Sequence, residues 1–539
     1  MKRYSKITPE GTRDFLFEES EQKIRVENAI TSVFEAHAYK KVITPTIEFF
    51  DVFDSDNTGI LPEDMYKLSD SRGRLTVLRP DNTAPIARMV ATRLGKNDFP
   101  VRLYYNQNVF VRNKSLSGRM NEISQCGIEL IGEGGSESDM EVLALAAETM
   151  HACSPEAFRI ELGHAGFFNA VLDRMQLDVH TREDICRLIE SKNYAALGDL
   201  LDRLPDSSEK ELLQKLPRLF GGREVFATAR SLYRGTAALA CLDALERLYD
   251  ELLQKGLQDV VSIDLGLVNR SNYYTGVIFR GYAVGTGHTV LSGGRYDNLL
   301  GTFGCDAPAI GFGVDVTAMC TALCEKINID RPVRIALTKG RLEKSSVSLF
   351  KTMGLDTGEL ENKGRRLILP VDRYEAVLAK APDVITYVEH GVCDIGIVGK
   401  DTIAEHASAF FEVLDLGIGK CRFALACPKG TDFFSGYKRK VIASKYPKVA
   451  STYFESVGMD VDIIKIEGSV ELAPLLGLAD GIVDIVETGS TLKENGLEIV
   501  REIMPISARV IVNMASMKLR KAEIEEFLQD LACASQVTE

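Results

Sequence analysis

The stretch GIVDIVETGSTLKENGL, from Gly481 to Leu497, concentrates residue types that handle phosphate. An apolar run that reads as a strand ends at Glu487, and Thr488, Gly489, Ser490 and Thr491 stand where a helix should begin. Backbone N–H groups and several hydroxyls then converge on one point, which suits a phosphate ester. Gly489 permits close backbone approach, while Asp484 and Glu487 are placed to hold sugar hydroxyls or to order the loop. An ordinary strand-to-helix turn with a Ser/Thr N-cap explains the four loop residues equally well. A Walker A loop is excluded, because no Gly-x-x-x-x-Gly-Lys-Ser/Thr pattern lies near it.

A second group of residues reads as a pocket for a small amino acid. In NRSNYYTGVIF, Asn269 to Phe279, Tyr273 and Tyr274 adjoin a Thr-Gly pair and a β-branched run. For any single tyrosine, a core position with a satisfied hydroxyl is the commoner explanation.

The elements that must position these groups differ between the two halves of the chain. At 539 residues it has room for about three to five domains. SEQKIRVENAITSVFEAHAY carries Ile24, Val26, Ile30, Val33 and Phe34 on a helical stripe. KKVITPTIEFF reads as a β-segment kinked at Pro45, with RLTVLRP and VRLYYNQNVFVR as further strands. About 177–257 turns helical and charged, with stripes at Ile185, Leu188 and Ile189 and at Leu197, Leu200 and Leu201, which reads as a helical insertion. Strand signals return at VVSIDLGLV, TGVIFRGYAV and AIGFGVDV. Past Pro332 the style changes. VRIALTKG, CDIGIVGKD, CRFALACP, KVIASKY, VDIIKIEG, GIVDIVETG and ARVIVNMAS alternate with helical patterns, which argues for parallel α/β lobes. KAEIEEFLQDLACA, with Ile524, Phe527, Leu528 and Leu531 on one face, should close a core. The expected domains are therefore 1–325, a linker 326–332, and 333–539.

Composition excludes several classes. The net charge of -13 argues against a general nucleic-acid binder, although it leaves room for a local basic site. Eleven cysteines scattered singly, with no C-x-x-C pair, indicate neither a metal site nor a disulfide framework, and a reducing cytoplasm fits best. The polar start MKRYSKITPEGTRDF and the lack of an apolar run near 18 residues give no signal peptide or membrane span.

The loop at Asp484 to Thr491 resembles the 5-phosphoribosyl 1-pyrophosphate (PRPP) loop of phosphoribosyltransferases, with Asp484 at the second acidic position and Val483 where the commonest type has its first acid. IALTKGRL (Ile335 to Leu342), YVEHGVCDIGIVGKD (Tyr387 to Asp401), VLDLGIGKCR (Val413 to Arg422) and KIEGSVELAPLLGLADGIVDIVETGSTLKENGLE together look like short-form ATP phosphoribosyltransferase, the first enzyme of histidine biosynthesis, across about Val333 to Cys533. The chain ends where that short form ends. The resemblance implies ATP and PRPP as substrates, Mg²⁺ carried on them, and a two-lobed α/β fold like that of periplasmic binding proteins. It assigns Asp484, Glu487, Thr488, Gly489, Ser490 and Thr491 to PRPP, Lys339, Gly340 and Arg341 to ATP, and Arg341, Arg365 and Arg366 to catalysis. For a lone arginine, solvated surface charge is the alternative. Lys380 stands where the family often has arginine.

In the first half, TPEGTRDF, TPTIEFF, LRPDNTAPIARMVATRL, QCGIELIG, YYTGVIF and LSGGRYDNLLGTFG resemble the class II core of histidyl-tRNA synthetase across about Tyr4 to Met319, which implies an antiparallel sheet with helices. By that resemblance Asp81 and Thr83 face a ligand's amino group, Gln125 and Glu129 its polar atoms, and Tyr273 and Tyr274 its ring. Structural ion pairing is the alternative for Asp81 and Glu129. The catalytic cations of that family do not align. Val111 stands at the arginine position with Arg112 one place off and Asn113 for a glutamate, Thr317 and Ala318 replace Glu-Arg, Asn269 replaces an arginine with Arg270 displaced, and Asn272 replaces an aspartate. Adenylate formation needs those cations.

The whole thus resembles a synthetase-like regulatory subunit joined to its transferase, with the pocket as a histidine sensor that inhibits, and a homo-oligomer built through the class II core. Three rivals stand beside it: a working histidyl-tRNA synthetase, a two-lobed solute-binding module, and a fused scaffold whose first half senses nothing.

Overall fold

The computed structural model describes residues 6–53, 58–94, 98–113, 118–153, 155, 157–190, 193–268, 273–324, 331–406 and 410–537. Asn269, Arg270 and Asn272, and residues 326–330 of the expected linker, lie outside them. The chain divides into two compact units, Met1–Ile329 and Asp330–Glu539. No helix among the described residues is long and apolar enough to cross a membrane.

The first unit is built on a nine-stranded sheet among the described residues. Edge to edge its strands are Lys40–Lys41, Val101–Phe110, Glu122–Ile131, Ala309–Asp315, Thr289–Arg295, Val277–Ala283, Phe158–His164, Val261–Asp264 and Phe220–Gly221. The middle of the sheet is antiparallel, with Val101–Phe110 and Glu122–Ile131 in register from Val101 opposite Ile131 to Phe110 opposite Glu122. The helix Phe17–Ala36 lies over this sheet through Val26, Ile30 and Phe34, spaced one turn apart, while Ile24 is left exposed. The Phe34 ring packs 5.9 Å from Tyr104 and 5.8 Å from Phe312, a burial worth about 2–3 kcal/mol. Helices Val179–Glu190, Tyr194–Leu201, Ser208–Lys215, Glu224–Leu232 and Thr236–Gln254 bury Ile185, Leu188, Ile189, Leu197 and Leu201 in the same core. Between them the strand Phe220–Gly221 returns to the sheet edge, which the charged helical pattern of this region concealed.

KKVITPTIEFF is not one kinked strand. Lys40–Lys41 joins the large sheet, and Ile47–Phe49 joins a separate three-stranded sheet with Leu75–Leu78 and Lys67–Ser69. Pro45 brings no N–H to a ladder. The Arg79 guanidinium satisfies the interrupted backbone instead, donating from Nη1 to the carbonyls of Thr44 at 2.8 Å and Pro45 at 3.2 Å.

The second unit has two lobes. One is a six-stranded sheet in the order Ile368–Val371, Tyr374–Ala379, Val333–Thr338, Ile395–Gly399, Ala508–Asn513, Phe410–Asp415. The other is a five-stranded sheet in the order Val461–Lys465, Lys440–Ser444, Gly481–Val486, Cys421–Pro428, Leu497–Ile506. Each sheet is parallel at its heart, as the alternating pattern suggests, yet the strands that flank the crossings between lobes are antiparallel to their neighbours. The chain crosses after Asp415 and returns after Ile506, and each crossing reverses strand direction. The helix Lys521–Val537 closes the first lobe, with Phe527 set edge-on to Phe350 at 5.9 Å and to Tyr374 at 5.1 Å.

Candidate functional site

The strand Gly481–Val486 delivers the loop residues to the cleft of the second unit. Asp484 is half-buried at its end, and burial, with Glu471 adding repulsion, pushes its carboxyl up to about 6. Glu487, Thr488, Ser490 and Thr491 are exposed, and a short helix, Ser490–Glu494, starts immediately. Its N-cap is Gly489 and carries no side-chain cap. The Thr488 hydroxyl instead lies 3.0 Å from that of Ser490 and accepts the Ser490 N–H at 3.4 Å. Gly489 is required by its backbone, at φ +78°, rather than by crowding, since an added Cβ would meet nothing nearer than Val486 at 3.6 Å. Three hydroxyls and the loop amides therefore gather on an open face.

Facing them is the turn that ends Val333–Thr338. Lys339 and Gly340 are exposed, Gly340 has φ +105°, and Arg341 begins the helix Arg341–Thr352. From there Arg341 Nη1 reaches the Glu487 carboxylate at 2.8 and 3.0 Å, tying one lobe to the other and holding the guanidinium pKa up. Arg422 adds a second cation, donating to the Glu487 backbone carbonyl at 3.3 Å and lying 2.7 Å from Glu502 at an angle that makes an ion pair without a hydrogen bond. The sequence did not single out Arg422, although it lies inside a motif quoted for the resemblance. Arg365 and Arg366 are not brought to the loop. Both are exposed beside the edge strand Ile368–Val371, and Arg366 pairs with Glu359 at 2.6 Å. Lys380 is the exposed N-cap of the helix Ala381–Glu389.

On another side the lobes are clamped by the helix Lys400–His406, which puts Ile403 in the core of one lobe and Ala404 against that of the other. The Glu405 carboxylate accepts the N–H groups of Lys448 at 3.1 Å and Val449 at 3.3 Å, capping the helix Pro447–Ser456 across the lobes. Tyr446 donates to Asp401 at 3.2 Å. Lys400 is buried with its Nζ 2.8 Å from both oxygens of Glu412, so it braces the clamp and does not reach into the cleft.

The first unit holds a cavity of about 260 Å³ whose walls include all six residues expected there: Asp81, Thr83, Gln125, Glu129, Tyr273 and Tyr274. Thr83 donates to Glu129 at 2.7 Å and Tyr296 to its other oxygen, and burial still lifts this carboxyl to about 8. Burial raises Asp81 as well, opposed by the N–H groups of Ala84, Thr83 and Asn82. Tyr273 stacks flat on Tyr296 at 5.4 Å. Gln125 is aimed by Asn82, whose amide donates to it at 2.9 Å. A buried acid, Glu129, a half-buried one, Asp81, and no lysine or arginine line the cavity among the described residues, so it is built for a ligand that brings positive charge or hydrogen-bond donors.

A family model for histidyl-tRNA synthetase matches residues 11–319, and one for ATP phosphoribosyltransferase matches residues 380–533. The ATP phosphoribosyltransferase of Clostridium kluyveri is 63% identical over 201 residues, 37% of this chain and 92% of that protein. An ATP phosphoribosyltransferase regulatory subunit of Clostridium botulinum is 41% identical over 326 residues, 60% of this chain and 77% of that protein. The chain belongs to the ATP phosphoribosyltransferase family. It carries a regulatory-subunit unit ahead of the transferase unit in one polypeptide. A solved structure described as an ATP phosphoribosyltransferase regulatory subunit/histidyl-tRNA synthetase from Bacillus halodurans covers 70% of this chain and 94% of its own, at 31% identity and a TM-score of 0.56.

In this ATP phosphoribosyltransferase the cavity of the first unit owes its shape to residues that sequence reasoning left without a role. Tyr105 and Tyr296 form walls, and Gly293, Gly311 and Gly313 form part of its lining. A Cβ at Gly311 would collide with Glu129 and the Ile128 carbonyl, and one at Gly313 would come within 2.7 Å of Gln125. The signal was present in LSGGRYDN, where two glycines adjoin, and in GFGVD, where glycine recurs at alternate positions of a strand. The positions where a synthetase would carry cations are otherwise used. Val111 and Arg112 lie beyond the end of Val101–Phe110, so strand alternation does not fix their faces, and Arg112 is exposed. Thr317 and Ala318 sit half-buried in the first turn of the helix Val316–Cys324.

Proposed function

We propose that the second unit transfers the 5-phosphoribosyl group of PRPP to N1 of ATP, giving N1-(5-phosphoribosyl)-ATP and pyrophosphate, and that the first unit binds histidine as an inhibitor. This is the opening step of histidine biosynthesis. The observation that carries the reading is the loop Glu487 to Thr491, open at the end of a strand and faced across the cleft by Arg341. Hydroxyls and amides of Thr488, Gly489, Ser490 and Thr491 hold the 5-phosphate, and Asp484 and Glu487 the ribose hydroxyls. Lys339, Gly340 and Arg341 hold the ATP phosphates.

As pyrophosphate leaves, negative charge gathers on it while the ribose becomes cationic, so fixed cations near the departing group lower the barrier most. We assign that work to Arg341, which shares Glu487 with Arg422. Arg365 and Arg366 would serve only if the cleft closes onto their edge of the sheet. Adenine N1 attacks without first losing a proton, so no general base is needed. Mg²⁺ would enter on the phosphate oxygens of both substrates and neutralise part of their charge; the oxygen-rich set of Asp484, Glu487 and the loop hydroxyls suits that hard cation. Lobe closure over the clamp helix aligns the reactants and excludes water.

In the regulatory pocket, the acids Asp81 and Glu129 answer the ammonium and ring N–H of histidine, and the Tyr273 ring lies over its side chain. Inhibition requires histidine to prefer one arrangement of the chain, a coupling of about 1–3 kcal/mol. A homo-oligomer is supported by the three-stranded sheet of the first unit, which leaves Ile47, Phe49, Leu68 and Leu75 exposed with Ile43 alongside. The cytoplasm suits ATP, PRPP and ten free cysteines among the described residues.

The test is purified protein with ATP, PRPP and Mg²⁺, followed by the ultraviolet absorbance of phosphoribosyl-ATP. The double variant Thr488→Ala, Gly489→Ala should lose turnover with only a small fall in melting temperature, since Ala at φ +78° costs about 1 kcal/mol. Full activity in that variant would remove the loop from the reaction.

A further inference from the structure

The contact between Arg341 and Glu487 has a role beyond tying the lobes together, and it follows once Arg341 and the loop are read as the substrate site. Arg341 is the cation proposed for the ATP phosphates and the departing pyrophosphate. Its guanidinium holds a carboxylate of the protein itself, in a pair that keeps 64% and 57% of the two side chains exposed. That carboxylate belongs to the first residue of the phosphate loop, on the opposite lobe. Arg422 fixes the backbone behind it by donating to the Glu487 carbonyl. The lobes are secured independently by the clamp of Asp401 on Tyr446 and Glu405 on the helix Pro447–Ser456, so the cleft does not need this pair to hold together. An exposed ion pair of this kind is also weak enough to be exchanged readily.

We propose that Glu487 is an internal stand-in anion, which occupies Arg341 until the ribose hydroxyls of PRPP draw the carboxylate away. While the pair stands, pyrophosphate and the ATP phosphates must compete with Glu487 for the guanidinium. When the sugar takes Glu487, Arg341 is released to the phosphates at the moment they are needed. Glu487 is thus a positioning residue with two partners, and its removal should have opposite effects on two ligands.

The experiment uses the full chain and isothermal titration with inorganic pyrophosphate alone and with PRPP alone, both with Mg²⁺. Glu487→Gln should bind pyrophosphate about two- to five-fold more tightly, the range expected when an exposed ion-pair competitor is removed, and PRPP more weakly. In an Arg341→Ala background the same change should give no gain for pyrophosphate. Glu502→Gln, which removes a negative charge beside Arg422 and leaves Arg341 paired, should give a smaller gain than Glu487→Gln. Equal or weaker pyrophosphate binding by Glu487→Gln, with PRPP binding intact in the wild type, overturns the stand-in role alone. An equal gain from Glu502→Gln overturns it too, because net charge then explains the effect. Failure of the wild type to bind either ligand overturns both this inference and the reading of the cleft as the substrate site.

Discussion

Gly313→Ala is a sharp probe of the regulatory pocket, because the new atom is a single methyl and the strand backbone there accepts any residue. Its Cβ would stand 2.7 Å from Gln125 Nε2, 3.0 Å from Gln125 Cδ and 3.0 Å from the Tyr105 hydroxyl. Gln125 must move, and the space open to it is the cavity itself, about 260 Å³. In the empty protein that swing costs little more than the hydrogen bond from Asn82, about 1 kcal/mol. With histidine bound the space is taken, and overpacking adds about 1–2 kcal/mol more. The first cost is paid with or without ligand and cancels, so histidine affinity should fall by about 1–2 kcal/mol, on the order of 5- to 30-fold. Calorimetric titration of the full chain measures it, and the half-inhibiting histidine concentration should rise in parallel while the uninhibited rate stays put. A dissociation constant within about threefold of wild type would show that Gln125 does not wall the ligand and would refute the argument.

Two further outcomes follow from buried charge. The Glu129 carboxyl stands at about 8 in the fold against an ordinary 4.5, so the protein gains stability from its protonated form at low pH and loses it as pH rises through that interval. The loss approaches about 1.4 kcal/mol per pH unit; Glu129→Gln should flatten it, and equal slopes of melting temperature against pH in both proteins would contradict the assignment. Lys400→Met leaves the buried Glu412 carboxylate with only the longer ion pair to Arg509, at 3.7 Å, and should cost about 3 kcal/mol in denaturant unfolding. Pairing it with Glu412→Leu should recover most of that, and no recovery would mean that the ion pair is not what the clamp depends on.

What the sequence revealed, and what it hid, follows from two physical features. Long apolar runs such as CRFALACP and ARVIVNMAS lie in buried strands of the second unit, and their composition alone marks them. Thr289–Arg295 was not read as a strand, because its two glycines count against one until the pocket that needs their missing Cβ atoms is seen. Leu497–Ile506 was missed for a different reason. It lies half-exposed against Cys421–Pro428 with two register shifts, so neither alternation nor a continuous apolar run survives. The six pocket residues were found by motif, and they do converge. Arg365 and Arg366 were also assigned by motif, but a motif specifies neighbours in sequence, and only the fold shows that Arg341 alone of the three reaches the loop.

Central to the account is that one polypeptide both makes phosphoribosyl-ATP and reads histidine. The direct measurement is the initial rate of the full chain with ATP, PRPP and Mg²⁺ across a histidine titration, run beside Tyr273→Ala. The rate of the wild type should fall as histidine is added, and the variant, with an equal uninhibited rate, should need far more histidine for the same fall. A wild-type rate indifferent to histidine would contradict the sensor and leave the first unit a scaffold, and equal inhibition of both proteins would move histidine to a different site.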